Sequence, residues 1–306
     1  MPKFLLSIVL IMLVSACEAQ QSGLQRYDDL AYTESADPWS DSLQRLNLIL
    51  PADAKGCPLL IWIGGGAWAY VNRHVEMDFA ERLAMEGIAV ASVGHRLSPA
   101  LWRDSSLNRG IKHPAHVEDV ALAFKWLHEH AMEYGYDPEQ IFIGGYSSGA
   151  QLSALLSVDE SYLQAHGLEL SDIRGVIPIA GTYDIPHYHQ VFIDAGQPQM
   201  SVLHVEAVFG DNKTNWLDAS PISYLDHLQV PMLLISEQNS YDYTRIFEEK
   251  LVENGFEHFD VFHVQRLNHG ELWRNISHSD ESLYRDLIIG FIRKNAVDEE
   301  DLRRNP

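Results

Sequence analysis

The feature that most constrains this chain is the stretch Ile141-Phe142-Ile143-Gly144-Gly145-Tyr146-Ser147-Ser148-Gly149-Ala150. β-favouring residues run into a glycine-flanked serine, and Ala150 to Leu156 then reads as a helix. The pattern is strand, sharp turn, helix, with Ser147 at the apex. The spacing Gly145-x-Ser147-x-Gly149 is that of a nucleophile elbow. Its logic is steric: the apex residue adopts a strained backbone, so the chain two residues either side passes close by, where a Cβ would clash. Such a turn lifts the serine hydroxyl above a sheet and aims the amides of the following helix at the same spot.

A fold that can hold this turn follows from the rest of the pattern. Pro58 to Ile63, Ile88 to Val93, Gly175 to Ala180 and Val230 to Ser236 are continuous apolar runs, as expected of strands buried on both faces. Gln44 to Leu50 alternates like an edge strand and ends at Pro51. Asp260 to Val264 is a further strand. Helical spacing appears at His74–Glu86, His113–Tyr134, Thr244–Glu253 and Ser282–Lys294, with Asp137-Pro138 as a break. Alternating strands and helices predict an α/β fold with a mostly parallel sheet covered on both faces. Gly181 to Val205 reads as irregular and aromatic-rich, a small lid.

Composition bounds the partners. The 306 residues are 46% hydrophobic, enough for a full core, and carry a formal net charge of -21. Such an acidic chain repels phosphate backbones, which argues against nucleic acid. Lys3 followed by the apolar run Phe4 to Val14 reads as a secretory leader, too short to span a bilayer comfortably. The leader ends in Val14-Ser15-Ala16-Cys17, which resembles a bacterial lipobox. The expectation is therefore a leader over 1–16 and a lipid-bearing Cys17, placing the protein on the cell envelope, membrane-attached through its N-terminus. A polar tether over 17–40, one α/β domain over 41–296 and an acidic tail over 297–306 complete the plan. Cys57, the other of two cysteines, is expected to be a buried small hydrophobe.

A serine hydroxyl is a weak nucleophile without a base, and the base needs an orienting group. Where an elbow is served by a triad, the chain order is serine, acid, histidine. His269, in an Asn268-His269-Gly270 loop before the last helix, occupies the late slot; none of the other fourteen histidines does. The acid is expected after the Val230–Ser236 strand. Asp242 is preferred there, with Glu237 as the alternative carboxylate and Asn239 as a degenerate occupant. Amides of Gly65, Gly66 or Ala67, in the Gly64-Gly65-Gly66-Ala67-Trp68 loop, and of Ser148 are the expected oxyanion donors.

Two other chemistries fit poorly. Gly64-x-Gly66-x-x-Ala69 loosely matches a dinucleotide fingerprint, but Val93-Gly94-His95-Arg96 ends the next strand without the required acid. His113-x-x-His116 lacks a third ligand at metal-site spacing.

Together these residues resemble the α/β-hydrolase esterases, closest to the hormone-sensitive-lipase-like and BD-FAE-like carboxylesterases. The likeness runs from about Leu46 to the final helix. Ile61 to Trp68 is similar to their oxyanion loop, and His95-Arg96-Leu97-Ser98-Pro99 to their Tyr-Arg-Leu-x-Pro. Pro114 to Leu127 is similar to the helix before their elbow. Tyr183-Asp184 and Ala219-Ser220-Pro221 also recur and are read as structural. The resemblance implies hydrolysis of a small-molecule ester by Ser147, His269 and an acid, with no cofactor. Gly64 stands where the family has a loop histidine, and Asn239 lies near its usual acid. These two departures motivate a rival expectation, a catalytically weak hydrolase-fold lipoprotein that binds a ligand.

Overall fold

The computed structural model describes residues 23–296. The leader, Cys17 and the tail over 297–306 lie outside the described residues.

A single eight-stranded sheet organises the molecule, in the order β1-β2-β4-β3-β5-β6-β7-β8. The strands are β1 (Gln25–Ala31), β2 (Arg45–Leu50), β3 (Cys57–Ile63), β4 (Ala89–Val93), β5 (Tyr136–Tyr146), β6 (Gly175–Ile179), β7 (Met232–Ser236) and β8 (Phe259–His263). From β4 through β8 every pairing is parallel, while β1 with β2 and β2 with β4 are antiparallel. This is the predicted α/β arrangement, with an antiparallel margin at one side.

Strand side chains alternate between two cores, as the two-residue period requires. Leu59, Ile61 and Ile63 face one core with Phe124 and Leu155; Leu60 and Trp62 face the other with Phe79, Leu272 and Ile292. The longer helices are α1 (Met77–Met85), α2 (Ala115–Tyr134), α3 (Ser148–Leu156), α4 (Ile185–Asp194), α5 (Tyr241–Glu253), α6 (His269–His278) and α7 (Leu283–Asn295). Helices α1, α6 and α7 contribute to the second core, and α2, α3 and α5 to the first. Cys57 is buried and free, at the start of β3.

Four expectations are corrected. The tether does not reach residue 40: Gln25–Ala31 is the edge strand, and Pro38–Leu43 is a short helix capped by Asp37. β1 escapes a periodicity search because it is polar and exposed almost throughout, and a bulge at Asp29 (φ 59°) breaks its register. With β1 outside it, β2 is an interior strand, buried over Leu46–Leu50. The lid segment is helical, comprising α4, a turn at Pro198–Ser201 and the Val202–Phe209 turns. Asp137-Pro138 lies inside β5; Gly135, left-handed at φ 87°, ends the preceding helix.

Candidate active site

Every candidate side chain is delivered by the C-terminal ends of strands. β5 ends at Tyr146, Ser147 turns sharply with φ 55° and ψ -115°, and α3 begins at Ser148. The glycine spacing has a direct cause here. A Cβ on Gly145 would lie 2.4 Å from the Gly149 carbonyl, and one on Gly149 only 2.0 Å from the carbonyl oxygen of Ile63, on β3. The elbow is thus wedged against the neighbouring strand, and its strained apex is held by packing. The Ser147 amide donates to the Ile179 carbonyl of β6 at 2.9 Å.

The glycine loop after β3 leans over this turn. A Cβ on Gly65 would lie 3.2 Å from that of Ser147, a tight contact that glycine avoids. Gly66, at φ 154°, accepts amide hydrogen bonds from Ala69 and Tyr70, both at 2.9 Å. The Trp68 indole donates to Gln151 Oε1 at 2.8 Å, and the Gln151 amide donates to the Ala219 carbonyl. This pins the loop to the elbow helix. Gln151 gave no signal in the sequence, being one more polar residue in a helix.

His269 is not in a loop, as expected, but is the first residue of α6. Asn268 caps that helix in a reciprocal box with Glu271. The Tyr146 hydroxyl donates to the His269 carbonyl. His269 Nδ1 lies 2.9 Å from Oε1 of Glu237, directly after β7. Asp242 is therefore not the partner of this imidazole. It sits in the first turn of α5 with its side chain 76% exposed, 3.9 Å from Arg245. Asn239 does not face the ring either: its Oδ1 accepts the His269 backbone amide at 3.4 Å, and its own amide donates to Glu237 Oε2 at 2.6 Å. Burial works to raise the Glu237 carboxyl. The hydrogen bonds from His269 and from the Asn239 amide outweigh it, holding the group below the ordinary carboxylate value.

Ser147, Ser148, Ala67 and His269 share the wall of one open cavity of about 320 Å³, lined also by Trp68, Thr182, Tyr188 and Tyr243. Tyr188 comes from α4, so the helical lid forms part of this wall. Among the described residues no cluster of three or more metal-ligating side chains occurs. His113 faces Asp218 at 3.0 Å, and His116 faces Ser98 at 2.9 Å. The remaining motifs are structural. Arg96 grips buried Asp119 through its backbone and its guanidinium, and Ser220 accepts the Ile185 amide beside the Asp184 cap of α4.

Sheet order, elbow and layered helices define an α/β-hydrolase fold. A family model described as BD-FAE matches residues 46–243, and the chain belongs to that family. Esterase LipQ of Mycobacterium tuberculosis is 30% identical over 190 residues, 60% of this chain and 42% of that protein. The probable carboxylic ester hydrolase LipM of the same organism is 29% identical over 188 residues, covering 60% and 41%. The aligned region thus spans less than half the length of these curated relatives. Among solved structures, esterase B of Lactobacillus rhamnosis superposes with a TM-score of 0.74 over 99% of each chain at 18% identity, a likeness of fold.

Proposed function

We propose that the protein is a serine hydrolase that cleaves carboxylic esters through an acyl-enzyme at Ser147. The observation that carries this reading is the meeting of His269 with buried Glu237, beside the cavity that Ser147 and His269 share. In the forward half-reaction His269 Nε2 takes the Ser147 proton as Oγ attacks the ester carbonyl. Glu237 accepts from Nδ1, which fixes the tautomer and stabilises the imidazolium that forms. The oxyanion is held by the Ser148 amide and by amides of the Gly65–Ala67 loop, which lies against the elbow. The alcohol leaves with the proton from His269, and water repeats the cycle on the acyl-enzyme.

The rival reading of an inactive binding module loses one of its two motives, because a carboxylate and not Asn239 meets the His269 ring. The cavity's size and apolar walls favour a short acyl or alkyl group next to the scissile carbonyl. Purified protein beginning at Glu18 is expected to hydrolyse a short-chain p-nitrophenyl ester and to be labelled by a fluorophosphonate at Ser147. Ser147→Ala is expected to lose both, with turnover down by at least about 10³-fold. Equal turnover by the wild type and this variant rejects the assignment.

A further inference from the structure

Gly64 directly follows β3 and opens the glycine loop. A Cβ there would lie 2.6 Å from Oε1 and 2.8 Å from Cδ of Glu76. The space beneath this corner is therefore already filled, by a carboxyl group reaching up from the 3₁₀ turn Arg73–Glu76. Glu76 is 2% exposed, and its Oε2 accepts the Trp62 indole N–H at 2.9 Å. Trp62 is wholly buried on β3, stacked on Trp273 of α6 with ring centroids 5.9 Å apart. Trp273 packs on Tyr146 at 5.2 Å, and Tyr146 on His269 at 5.0 Å. One buried carboxyl thus touches the root of the oxyanion loop directly and backs an aromatic column that ends at the base.

We propose that Glu76 is a positioning residue for ester hydrolysis, its carboxyl group fixing the corner at Gly64 from which Gly65 and Gly66 approach Ser147. The inference rests on the serine-hydrolase reading above. It gives Gly64 a reason: any larger residue at this position competes with the Glu76 carboxyl for the same volume.

The surroundings of Glu76 make the device sensitive to pH. Burial pushes its carboxyl up to about 8, against the opposing influence of the Trp62 N–H. No cation meets it among the described residues. On its own turn Arg73 is paired with Asp29, and His74 faces Asn47 and Asp29. On α1, Asp78 faces His278 of α6, while Arg82 is bound to the His278 carbonyl and faces Asp280. From β2, Arg45 pairs with Asp41, and β4 brings no charged side chain. On α6, Glu271 closes its own cap and His269 faces Glu237; Tyr146 at the end of β5 binds the His269 carbonyl. Below the transition the carboxyl is neutral and acts as a shaped filler. Above it an uncompensated negative charge sits under a loop whose amides must bind an anion in the transition state, so catalysis falls as pH rises.

The test compares wild type, Glu76→Gln and Glu76→Ala by kcat and KM from pH 6 to 10, with fluorophosphonate labelling in parallel. Glu76→Gln keeps the shape and an acceptor for Trp62. Its activity at pH 7 is expected within about threefold of wild type, and at pH 9 about tenfold above it, because the alkaline limb is flattened. Glu76→Ala is expected to lower kcat about tenfold at pH 7 with KM little changed, as the corner loses its support. A Glu76→Gln profile that superimposes on wild type, or full kcat in a folded Glu76→Ala, overturns the proposal. Should Glu76→Ala not fold, the Glu76→Gln profile alone decides. Failure of the serine-hydrolase reading looks different: no protein in the set is labelled at Ser147.

Discussion

Glu237 and Glu76 are buried to the same degree, 1% and 2% exposed, yet their carboxyls are driven in opposite directions. Each loses water on folding, which penalises the charged form. Glu237 recovers the loss through the His269 ring and the Asn239 amide, and is held ionised. Among the described residues Glu76 has one donor, the Trp62 indole N–H, and its carboxyl is pushed up to about 8. Surface exposure alone therefore does not determine what a carboxyl does; its depth and the donors arranged around it do. On the proposed mechanism, one site needs a permanent anion to steady an imidazolium, and the other needs bulk without charge.

The strongest way to break this comparison is to remove the charge from each site in turn. Glu237→Gln is expected to lower kcat by about 10²–10⁴-fold, because an amide cannot steady the imidazolium and can impose the wrong tautomer. Steady-state hydrolysis of a p-nitrophenyl ester measures this, and a loss below about threefold would return the role of acid to another residue. The same two positions differ in how stability follows pH. Glu76 is raised above its ordinary 4.5, so it costs nothing below that value, and its penalty grows until it is complete above about 8. Glu76→Gln is accordingly expected to gain in Tm over wild type as pH rises from 5 to 9. Glu237, whose value is lowered, has the opposite sign: its contribution is present above the ordinary carboxylate range and is lost as pH falls through its folded value. The Tm deficit of Glu237→Gln should therefore be largest near neutrality and shrink in acid. Parallel Tm–pH curves for the two variants would dissolve the contrast. The smallest effect is expected at Asp242. Asp242→Asn should change kcat/KM by less than about twofold, since it removes an exposed charge near Arg245.

Much of the fold could be read from the chain because its signals are local. Interior strands such as Leu59–Ile63 must be continuously apolar, and the elbow glycines are compelled by contacts within a few ångströms. β1 was hidden because an exposed edge strand needs no apolar face, and the lid helices because aromatic residues around Tyr188 pack on the cavity instead of forming a clean stripe. In the site, Ser147 and His269 occupy slots that sequence order defines. The acid does not, because Glu237 and Asp242 both follow β7 and both have a satisfactory local reason to exist. Asp242 favours the positive end of the α5 dipole, while Glu237 is held locally by the Asn239 amide and is set apart by a histidine 32 positions later. Glu76 was illegible for the same reason: its partner Trp62 lies 14 residues upstream, and nothing in Arg73-His74-Val75-Glu76 announces burial.

The antiparallel margin of the sheet carries a geometric corollary. β1 runs in the same sense as β3 and β5, since it is reversed twice through β2. Gln25 therefore enters at the pole where the parallel strands begin, whereas Ser147 stands at the pole where they end. Asn295 is at the entry pole too, its carbonyl bound by Arg174 just ahead of β6. Both ends of the described residues thus lie at the molecule's back. Were Cys17 to bear the lipid its sequence context suggests, we propose that this back would face the bilayer and the Ser147 cavity would open away from it.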